Sequence, residues 1–389
     1  MRPRSDRRRV LQGMLGLTAA SATKQTWAAP PKDVIRLGQS VPISGAAQHL
    51  GIEYQRGLQM AFNLANASGG VQGRSIELIS LDDAYEADMA AANTQDLIGA
   101  EAVFALVGYV GAESVRRSLP LALKAGVPMI APLCGAEFLR QAPPRALITW
   151  RAGQAAELAL IVRTLSTMGW DRMAVLQQTD ADGEAGLLAL QQVLQAAKLP
   201  APVTLAKVAR NSTGESALGQ NDIAPAAKQL LEAKPQVVVS LAAYGSTGAV
   251  WRALRKSGFR GGCYGTSLSG SGALAAQLGS DAAGLSLTQV VPSPTDASRP
   301  VVASYLQRLK AADAKPEHAS LEGWMVGQTI LEALRRMPRN GTREQFLAAL
   351  ESLGTWDMGG FALKWDPARR QLAQHVSLTV YDQSGRARH

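Results

Sequence analysis

The chain contains 389 residues, of which 47% are hydrophobic and 18% are charged. This globular composition, at this length, predicts two domains of about 150 residues each. The formal charge of +9 belongs largely to the first 28 residues, and the remainder carries +4 without a basic cluster, which argues against a nucleic-acid partner.

The first 28 residues have the pattern of an export signal. Arg7–Arg9 precede a short apolar run at 13–22, and a small residue, Ala28, follows at a plausible cleavage site. The run is too short to cross a bilayer, which needs roughly 20 apolar residues. The order Asp6-Arg7-Arg8-Arg9 resembles the twin-arginine motif, and an ordinary secretory leader is the alternative. No cysteine lies near the cleavage site, so we expect a periplasmic protein without a lipid anchor.

Short apolar runs then alternate with helical patterns. The predicted strands are 34–42, 76–81, 103–109 and 127–131. The predicted helices are one that contains Tyr54, Leu58, Phe62 and Ala65, then 87–100 and 113–125. The run Val103–Val107 is apolar at every position, as in strands that are buried on both faces of a parallel sheet. This order predicts a doubly wound α/β sheet.

The pattern restarts after about residue 146 and predicts a second α/β unit of similar size. Its predicted strands are 146–150, 173–177, 203–208, 237–242, 263–267 and 285–291, and its predicted helices are 154–168, 184–197, 223–233 and 247–257. Helices at 301–312, 321–337 and 343–353 follow, and we expect 361–365 and 376–381 to form a terminal hairpin. Two such sheets, facing each other at the carboxyl ends of their strands, would form a hinged cleft for a ligand.

The two cysteines, Cys134 and Cys263, fall in different predicted units. An oxidising compartment permits a disulfide between them, but the predicted fold separates them, so we expect two free thiols. The four histidines show no metal-ligand spacing, and we expect neither a metal nor a cofactor.

An ordered set of short segments resembles the leucine/isoleucine/valine-binding proteins, a group of type I periplasmic binding proteins. The segments are Ser44-Gly45, Gly69-Gly70-Val71-Gln72-Gly73, Asp82-Asp83-Ala84, Gly108-Tyr109-Val110-Gly111, Ala125-Gly126-Val127-Pro128, Lys256-Ser257-Gly258 and Trp365-Asp366-Pro367. No single segment is specific, but the set keeps its order over essentially the whole mature chain. The stretch 320–324 resembles a subgroup whose ligands are mostly unassigned.

The resemblance implies two doubly wound parallel-sheet lobes that are joined by three hinge strands, near Trp150, Val291 and Gly359. Lobe one would comprise about 34–150 and 292–358, and lobe two would comprise 151–291 and 359–389. A small ligand would bind in the cleft between them. The positions implied for ligand binding are Leu50, Tyr109, Gly111, Ala112, Glu113, Cys134, Gly135, Asp182, Tyr244 and Ser267.

The chain departs from the group at three of these positions. Amino-acid-binding members hold the ligand carboxylate with two hydroxyls and backbone N–H groups, and the ammonium with a carboxylate. The corresponding residues here are Ala112, Gly135 and Ser267. A hydrogen bond to a charged group contributes about 1.5–3 kcal/mol, so we expect weak binding of ordinary branched-chain amino acids. The N–H groups of the helix that opens at Glu113 favour an anion, and Asp182 either caps a helix or meets a cationic group.

Other candidates also have structural alternatives. Tyr109 and Tyr244 can close on an apolar or aromatic ligand, although Tyr109 can equally be core. Cys134 can be an apolar filler. Arg151, near the hinge, is either a salt-bridge partner or a ligand contact, and Glu322 is expected to cap a helix.

Enzyme functions lack their motifs. A nicotinamide enzyme needs Gly-x-Gly-x-x-Gly after the first strand, where residues 38–42 read Gly-Gln-Ser-Val-Pro, and no Gly-x-Ser-x-Gly nucleophile turn is present. We therefore expect a non-enzymatic solute-binding protein that captures an amino-acid-like molecule, a small organic acid or an amide for the permease subunits of an ABC importer. We expect a monomer that does not span the membrane. The alternative is a sensor of the same fold that presents its ligand to a signalling receptor.

Overall fold

The computed structural model describes residues 33–214, 222–269, 272–384 and 386–388. The predicted signal peptide, residues 1–28, lies outside the described residues. Two α/β sheets organise the described part of the chain. We call the five-stranded sheet and its helices lobe one, and the seven-stranded sheet and its helices lobe two.

Lobe one is built on a parallel sheet. Its elements are β1 (Val34–Val41), α1 (Gln48–Ala67), β2 (Ser75–Asp82), α2 (Ala87–Gly99), β3 (Ala105–Val107), α3 (Ala112–Lys124), β4 (Met129–Ile130) and β5 (Leu147–Ile148). The strand order is β2-β1-β3-β4-β5, and every neighbouring pair is parallel. Residues 37–41 of β1 are all buried, which explains their lack of alternation.

Lobe two repeats the alternation with its own sheet. Its elements are α4 (Gln154–Thr167), β6 (Met173–Gln178), α5 (Ala181–Ala197), β7 (Thr204–Val208), α6 (Ala224–Glu232), β8 (Val237–Leu241), α7 (Tyr244–Lys256), β9 (Gly262–Gly265), α8 (Gly272–Leu278) and β10 (Leu285–Gln289). The prediction of two doubly wound α/β sheets is confirmed.

The C-terminal segment adds to both lobes. Its elements are α9 (Pro300–Ala311), α10 (His318–Arg336), α11 (Arg343–Glu351), β11 (Thr355–Asp357), β12 (Ala362–Lys364), β13 (Ser377–Tyr381) and β14 (Ala387–Arg388). Helices α9, α10 and α11 pack into the core of lobe one. Strand β13 joins the lobe-two sheet beside β10, in the order β14-β13-β10-β9-β8-β6-β7.

The predicted terminal hairpin is wrong. Strand β12 pairs antiparallel with β11, and β13 pairs with β10 and β14. The turn between β11 and β12 is formed by Asp357, whose carboxylate accepts hydrogen bonds from the N–H groups of Gly359, Gly360 and Phe361. This Asx-type turn closes a local hairpin before the chain leaves lobe one.

The third hinge strand is predicted near Gly359, but the chain crosses between the lobes later than this. Phe361 and Ala373 still pack in the lobe-one core. The N–H of Ala373 donates to the carbonyl of Trp150 at 2.6 Å, so the two crossing segments run side by side. The backbone enters the lobe-two sheet only at Ser377, where β13 begins.

Two glycines bring α1 and α10 into close contact. A Cβ on Gly57 would lie 2.0 Å from the carbonyl oxygen of Ser320, and a Cβ on Gly323 would lie 2.2 Å from that of Tyr54. Any side chain at either position would therefore push the helices apart. The close crossing places the first turns of both helices, with Leu50 and Glu322, at the interface between the lobes.

Candidate ligand-binding site

Hydrogen bonds cross between the lobes at the carboxyl ends of their strands. The N–H of His49 in lobe one donates to the Tyr244 hydroxyl in lobe two at 3.1 Å. The Arg210 guanidinium in lobe two donates to the carbonyl of Tyr85 in lobe one at 2.7 Å. The structure therefore has the two lobes closed on each other.

A third crossing contact involves Asp182, in the first turn of α5. Both of its carboxylate oxygens lie 2.8 Å from the N–H of Ala112, the first residue of α3 in the opposite lobe. The Tyr85 hydroxyl donates to the same carboxylate at 3.3 Å. The cap of α5 is instead Asp180, which accepts a hydrogen bond from the N–H of Gly183. Asp182 therefore joins the lobes rather than capping its own helix.

Gly111 makes this contact possible. Its φ of +88° is unfavourable for residues with a side chain. A Cβ here would lie 2.8 Å from the ring of Tyr85 and 3.1 Å from an oxygen of Asp182. Gly111 therefore has a structural role at the N-terminus of α3, and its ligand contact stays a prediction.

The Asp182 carboxylate is buried away from water, and burial disfavours its ionised form. Burial raises the pKa of Asp182 to about 7, and the neighbouring Asp180 carboxylate adds to the effect. Arg210 opposes this shift, but its guanidinium donates to Asp180 at 2.6 Å and stacks 3.7 Å above the ring of Tyr85. Asp182 is held mainly by neutral donors of lobe one.

A second polar cluster lies near the hinge. Arg151 forms an ion pair with Glu322 at 3.1 Å and donates to the Ser267 hydroxyl at 2.8 Å. Glu157 accepts hydrogen bonds from the N–H of Ser267 at 2.7 Å and from the Thr288 hydroxyl at 2.6 Å. The three charged side chains of this cluster are at most 3% exposed. We call this group the Arg151 cluster.

The charged groups of the Arg151 cluster shift each other's pKa. Burial raises the pKa of Glu322 even though Arg151 lies beside it. Burial alone would lower the pKa of Arg151, but the carboxylates of Glu322 and Glu157 raise it. Two carboxylates therefore share one guanidinium in a site that water hardly reaches.

A small cavity of about 10 Å³ lies between the lobes beside this cluster. The residues that line it are Leu50, Leu133, Arg151, Ser267, Gln289, Val290, Val291, His318, Ala319 and Glu322. This volume accommodates about one water molecule. A larger solute requires the lobes or their side chains to move apart.

The structure separates the predicted site residues into three groups. Leu50 and Ser267 line the cavity. Ala112, Asp182 and Tyr244 form contacts between the lobes. The remaining residues do not line the cavity: Glu113 is half-buried in the first turn of α3, and the carbonyl of Gly135 also joins the lobes by accepting a hydrogen bond from the N–H of Gln154 in α4.

Two residues predicted to contact the ligand, Tyr109 and Cys134, do not line the cavity in this closed structure. Tyr109 is fully buried inside lobe one, where its hydroxyl bonds to Thr94 at 2.8 Å. Cys134 packs in the same apolar cluster, while its neighbour Leu133 lines the cavity. Both side chains are core, the structural alternative that each residue allowed. Cys134 and Cys263 are free thiols in different core clusters, and burial raises the pKa of each to about 12.

The role predicted for Glu322 is also wrong. Helix α10 begins at His318, one turn earlier than predicted, so Glu322 faces the buried interface instead of capping the helix. Arg151 is its salt-bridge partner, as one of the two readings of Arg151 predicted. Sequence reasoning missed Glu157, Gln289 and His318, because nothing in their local patterns indicates a site.

The described residues contain no helix that is long and apolar enough to cross a membrane. They also contain no group of three or more His, Cys, Asp or Glu side chains with the arrangement of a metal site.

The fold and the cleft together define a two-lobed solute-binding protein of the type I periplasmic class. Residues 34–386 match the family described as "Periplasmic binding protein", and the chain belongs to this family. The resemblance to its leucine/isoleucine/valine-binding group is confirmed.

Similar proteins support this assignment over different lengths of the chain. A crystal structure of a possible leucine/isoleucine/valine-binding protein from Rhodopirellula baltica SH 1 is 26% identical, covers 93% of this chain and 98% of its own, and has a TM-score of 0.86. The "Leu/Ile/Val-binding protein homolog 7" of Brucella abortus (strain 2308) is 36% identical over 107 residues, which are 28% of this chain. That alignment spans about a quarter of the relative, 27% of its length.

A solute-binding protein from R. palustris, solved in complex with benzoate, shares the fold. It is 19% identical, covers 91% of this chain and 95% of its own, and has a TM-score of 0.79.

Proposed function

We propose that this protein captures a small organic solute between its two lobes in the periplasm and delivers it to the permease subunits of an ABC importer. The observation that carries the proposal is the interface between the two sheets. Polar groups of both lobes converge on one cavity there, at the carboxyl ends of parallel strands, which is where open α/β sheets bind ligands. The same fold holds benzoate in the R. palustris protein.

Closure is the signal that a transporter would recognise. A solute that contacts both lobes stabilises the closed form by its difference in affinity for the closed and open forms. The contacts of Asp182 and Tyr244 with lobe one are available to the closed protein. A permease that docks on both lobes would thereby distinguish a loaded protein from an empty one.

A thermal-shift screen tests solute capture. The protein recovered after export is unfolded and refolded to remove any bound solute, and is then screened against amino acids, small carboxylates, aromatic acids and their amides. A solute at a hundredfold excess over Kd stabilises the folded state by about 2.7 kcal/mol. We expect at least one class to raise the melting temperature. If no class does so, capture of a small organic solute is the wrong function.

Export is the second part of the proposal. We propose that residues 1–28 direct export and are removed after Ala28. Replacement of Arg7 and Arg8 by lysine should retain the protein in the cytoplasm if the twin-arginine pathway is used. Intact-mass measurement of exported protein should give a chain that begins at Ala29. Export of the lysine variant at the wild-type level would assign the leader to the ordinary secretory pathway.

A further inference from the structure

The N-terminus of α3 is occupied by the protein's own carboxylate. The unpaired N–H groups of a first helical turn, together with the helix dipole, attract anions. Here the first of these N–H groups, that of Ala112, has both oxygens of Asp182 at 2.8 Å. Asp182 comes from the opposite lobe and is 4% exposed. An anionic solute would have to displace it from this position.

The rest of the interface also disfavours an anion. In the Arg151 cluster, Glu157 and Glu322 already supply two carboxylates to one guanidinium. Two other nearby guanidiniums are also bonded within the protein, that of Arg210 to Asp180 and that of Arg140 to backbone carbonyls. Each of these guanidinium groups is therefore already paired with an acceptor of the protein. A ligand carboxylate would have to displace one of these acceptors or stay unpaired in a dry site, which is costly.

One buried donor at the cavity calls for a hydrogen-bond acceptor. Gln289 lines the cavity and is 2% exposed. Among the described residues, its side-chain nitrogen has no hydrogen-bond acceptor. A carbonyl oxygen of a solute would satisfy this donor without bringing a negative charge, and an amide N–H₂ could donate to the surrounding carboxylates.

We propose that Asp182 determines specificity by excluding carboxylates from the N-terminus of α3, so that the solute is an uncharged molecule with a carbonyl acceptor, such as a carboxamide, and not a carboxylic acid. This inference rests on the proposed function, because it concerns the solute of the same cleft. It makes Asp182 an internal substitute for a ligand carboxylate.

Rescue with acetate tests the exclusion without knowledge of the natural solute. In Asp182→Ala, the N–H of Ala112 loses its carboxylate and a small space opens beside it. At pH 8, where Asp182 of the wild type is mostly ionised, sodium acetate should then raise the melting temperature of this variant by about 2 °C or more above an equal concentration of sodium chloride. Acetate and chloride should act equally on the wild type. Glu184→Ala is the control, because it removes an exposed carboxylate from the same turn of α5.

The outcomes separate this inference from the proposed function. If acetate fails to stabilise Asp182→Ala, or stabilises the wild type to the same degree, Asp182 does not occupy an anion site. Asp182→Ser is the second variant, with the same expected result, if the alanine variant does not fold. A carboxylic acid that binds the wild type at least as tightly as its own amide overturns the neutral-solute assignment. The proposed function fails separately, if no solute of the panel binds the wild type.

Discussion

The interface between the lobes contains two polar clusters that bury carboxylates in different ways. In the Arg151 cluster, Glu322 lies against a guanidinium at 3.1 Å, so opposite charges offset the cost of burial. At the other cluster, Asp182 is held by a backbone N–H and a tyrosine hydroxyl, and its pKa is raised to about 7. The first arrangement stabilises the closed structure as an ion pair. The second depends on protonation and can be exchanged for another carboxylate.

The largest expected effect comes from breaking the ion pair of the Arg151 cluster. Glu322→Ala leaves Arg151 buried with only Glu157 to compensate it. Removal of one partner of a buried pair costs about 3–5 kcal/mol, and we expect this loss in the free energy of unfolding measured with urea.

The triple variant Arg151→Met/Glu157→Gln/Glu322→Leu is the matched control. All three charges of the cluster are then gone and the volume is largely kept, so most of the lost stability should return. A loss below about 1 kcal/mol in the single variant would show that the pair does not stabilise the folded protein.

The second effect is a pH dependence from Asp182. Its pKa in the folded protein is about 7, above the ordinary value of 3.8, so the folded state binds more protons between these values. Stability should therefore fall as pH rises through this window, by about 2–3 kcal/mol between pH 5 and pH 8. Urea unfolding at several pH values measures it.

Asp182→Asn isolates the contribution of this one group. The variant cannot ionise, so its stability should change less between pH 5 and pH 8 than that of the wild type. Asp83 titrates in both proteins, with its pKa raised by burial to about 6, and its effect cancels in the difference. Parallel pH profiles for the two proteins would contradict the assignment.

A pair of glycine variants tests the space around Asp182. Gly111 and Gly126 both have positive φ, but a Cβ on Gly126 would meet nothing within 4 Å, whereas one on Gly111 would meet Tyr85 and Asp182. Gly126→Ala should cost about 1 kcal/mol from backbone strain alone. Gly111→Ala should cost about 1–2 kcal/mol more and should weaken solute binding. Equal losses would mean that the lobes do not meet at Gly111.

The smallest effect concerns the contact between His49 and Tyr244. Tyr244→Phe removes the acceptor of the His49 N–H but keeps the ring. The expected loss is about 0.5–1.5 kcal/mol in solute binding, measured by titration calorimetry. Tyr264→Phe, whose hydroxyl lies within lobe two, should leave solute affinity unchanged. A similar loss in both variants would remove Tyr244 from the closing interface.

Local patterns predicted the fold because they report local physics. Unbroken apolar runs such as 103–107 marked strands buried on both faces, and the alternation of elements gave two doubly wound sheets. The incorrect predictions concern residues whose contacts lie far away in the sequence. The hairpin of β12 was paired with the wrong strand, because the turn at Asp357 was not recognised. Helix α10 begins at His318, before its first apolar residues, and this shifted Glu322 from cap to core.

The site was harder to predict than the fold. The contact of Ala112 with Asp182 joins residues 70 positions apart and exists only when the lobes close. Tyr109 lies just after strand β3, where a side chain can face either the core or the cleft, and the sequence does not decide between them. A salt bridge is one of the two roles that the sequence leaves open for Arg151, and its carboxylate partner, Glu322, can be identified only in three dimensions.

The most direct test of solute capture between the lobes is titration calorimetry with two matched variants. Ala319 lines the cavity between the lobes, and Ala196 lines an open groove between α4 and α5. We expect the wild type to bind one solute per chain, Ala319→Leu to weaken binding at least tenfold by filling the site, and Ala196→Leu to bind like the wild type. Unchanged affinity in Ala319→Leu, with weaker binding in Ala196→Leu, would place the solute outside the cleft and contradict the account.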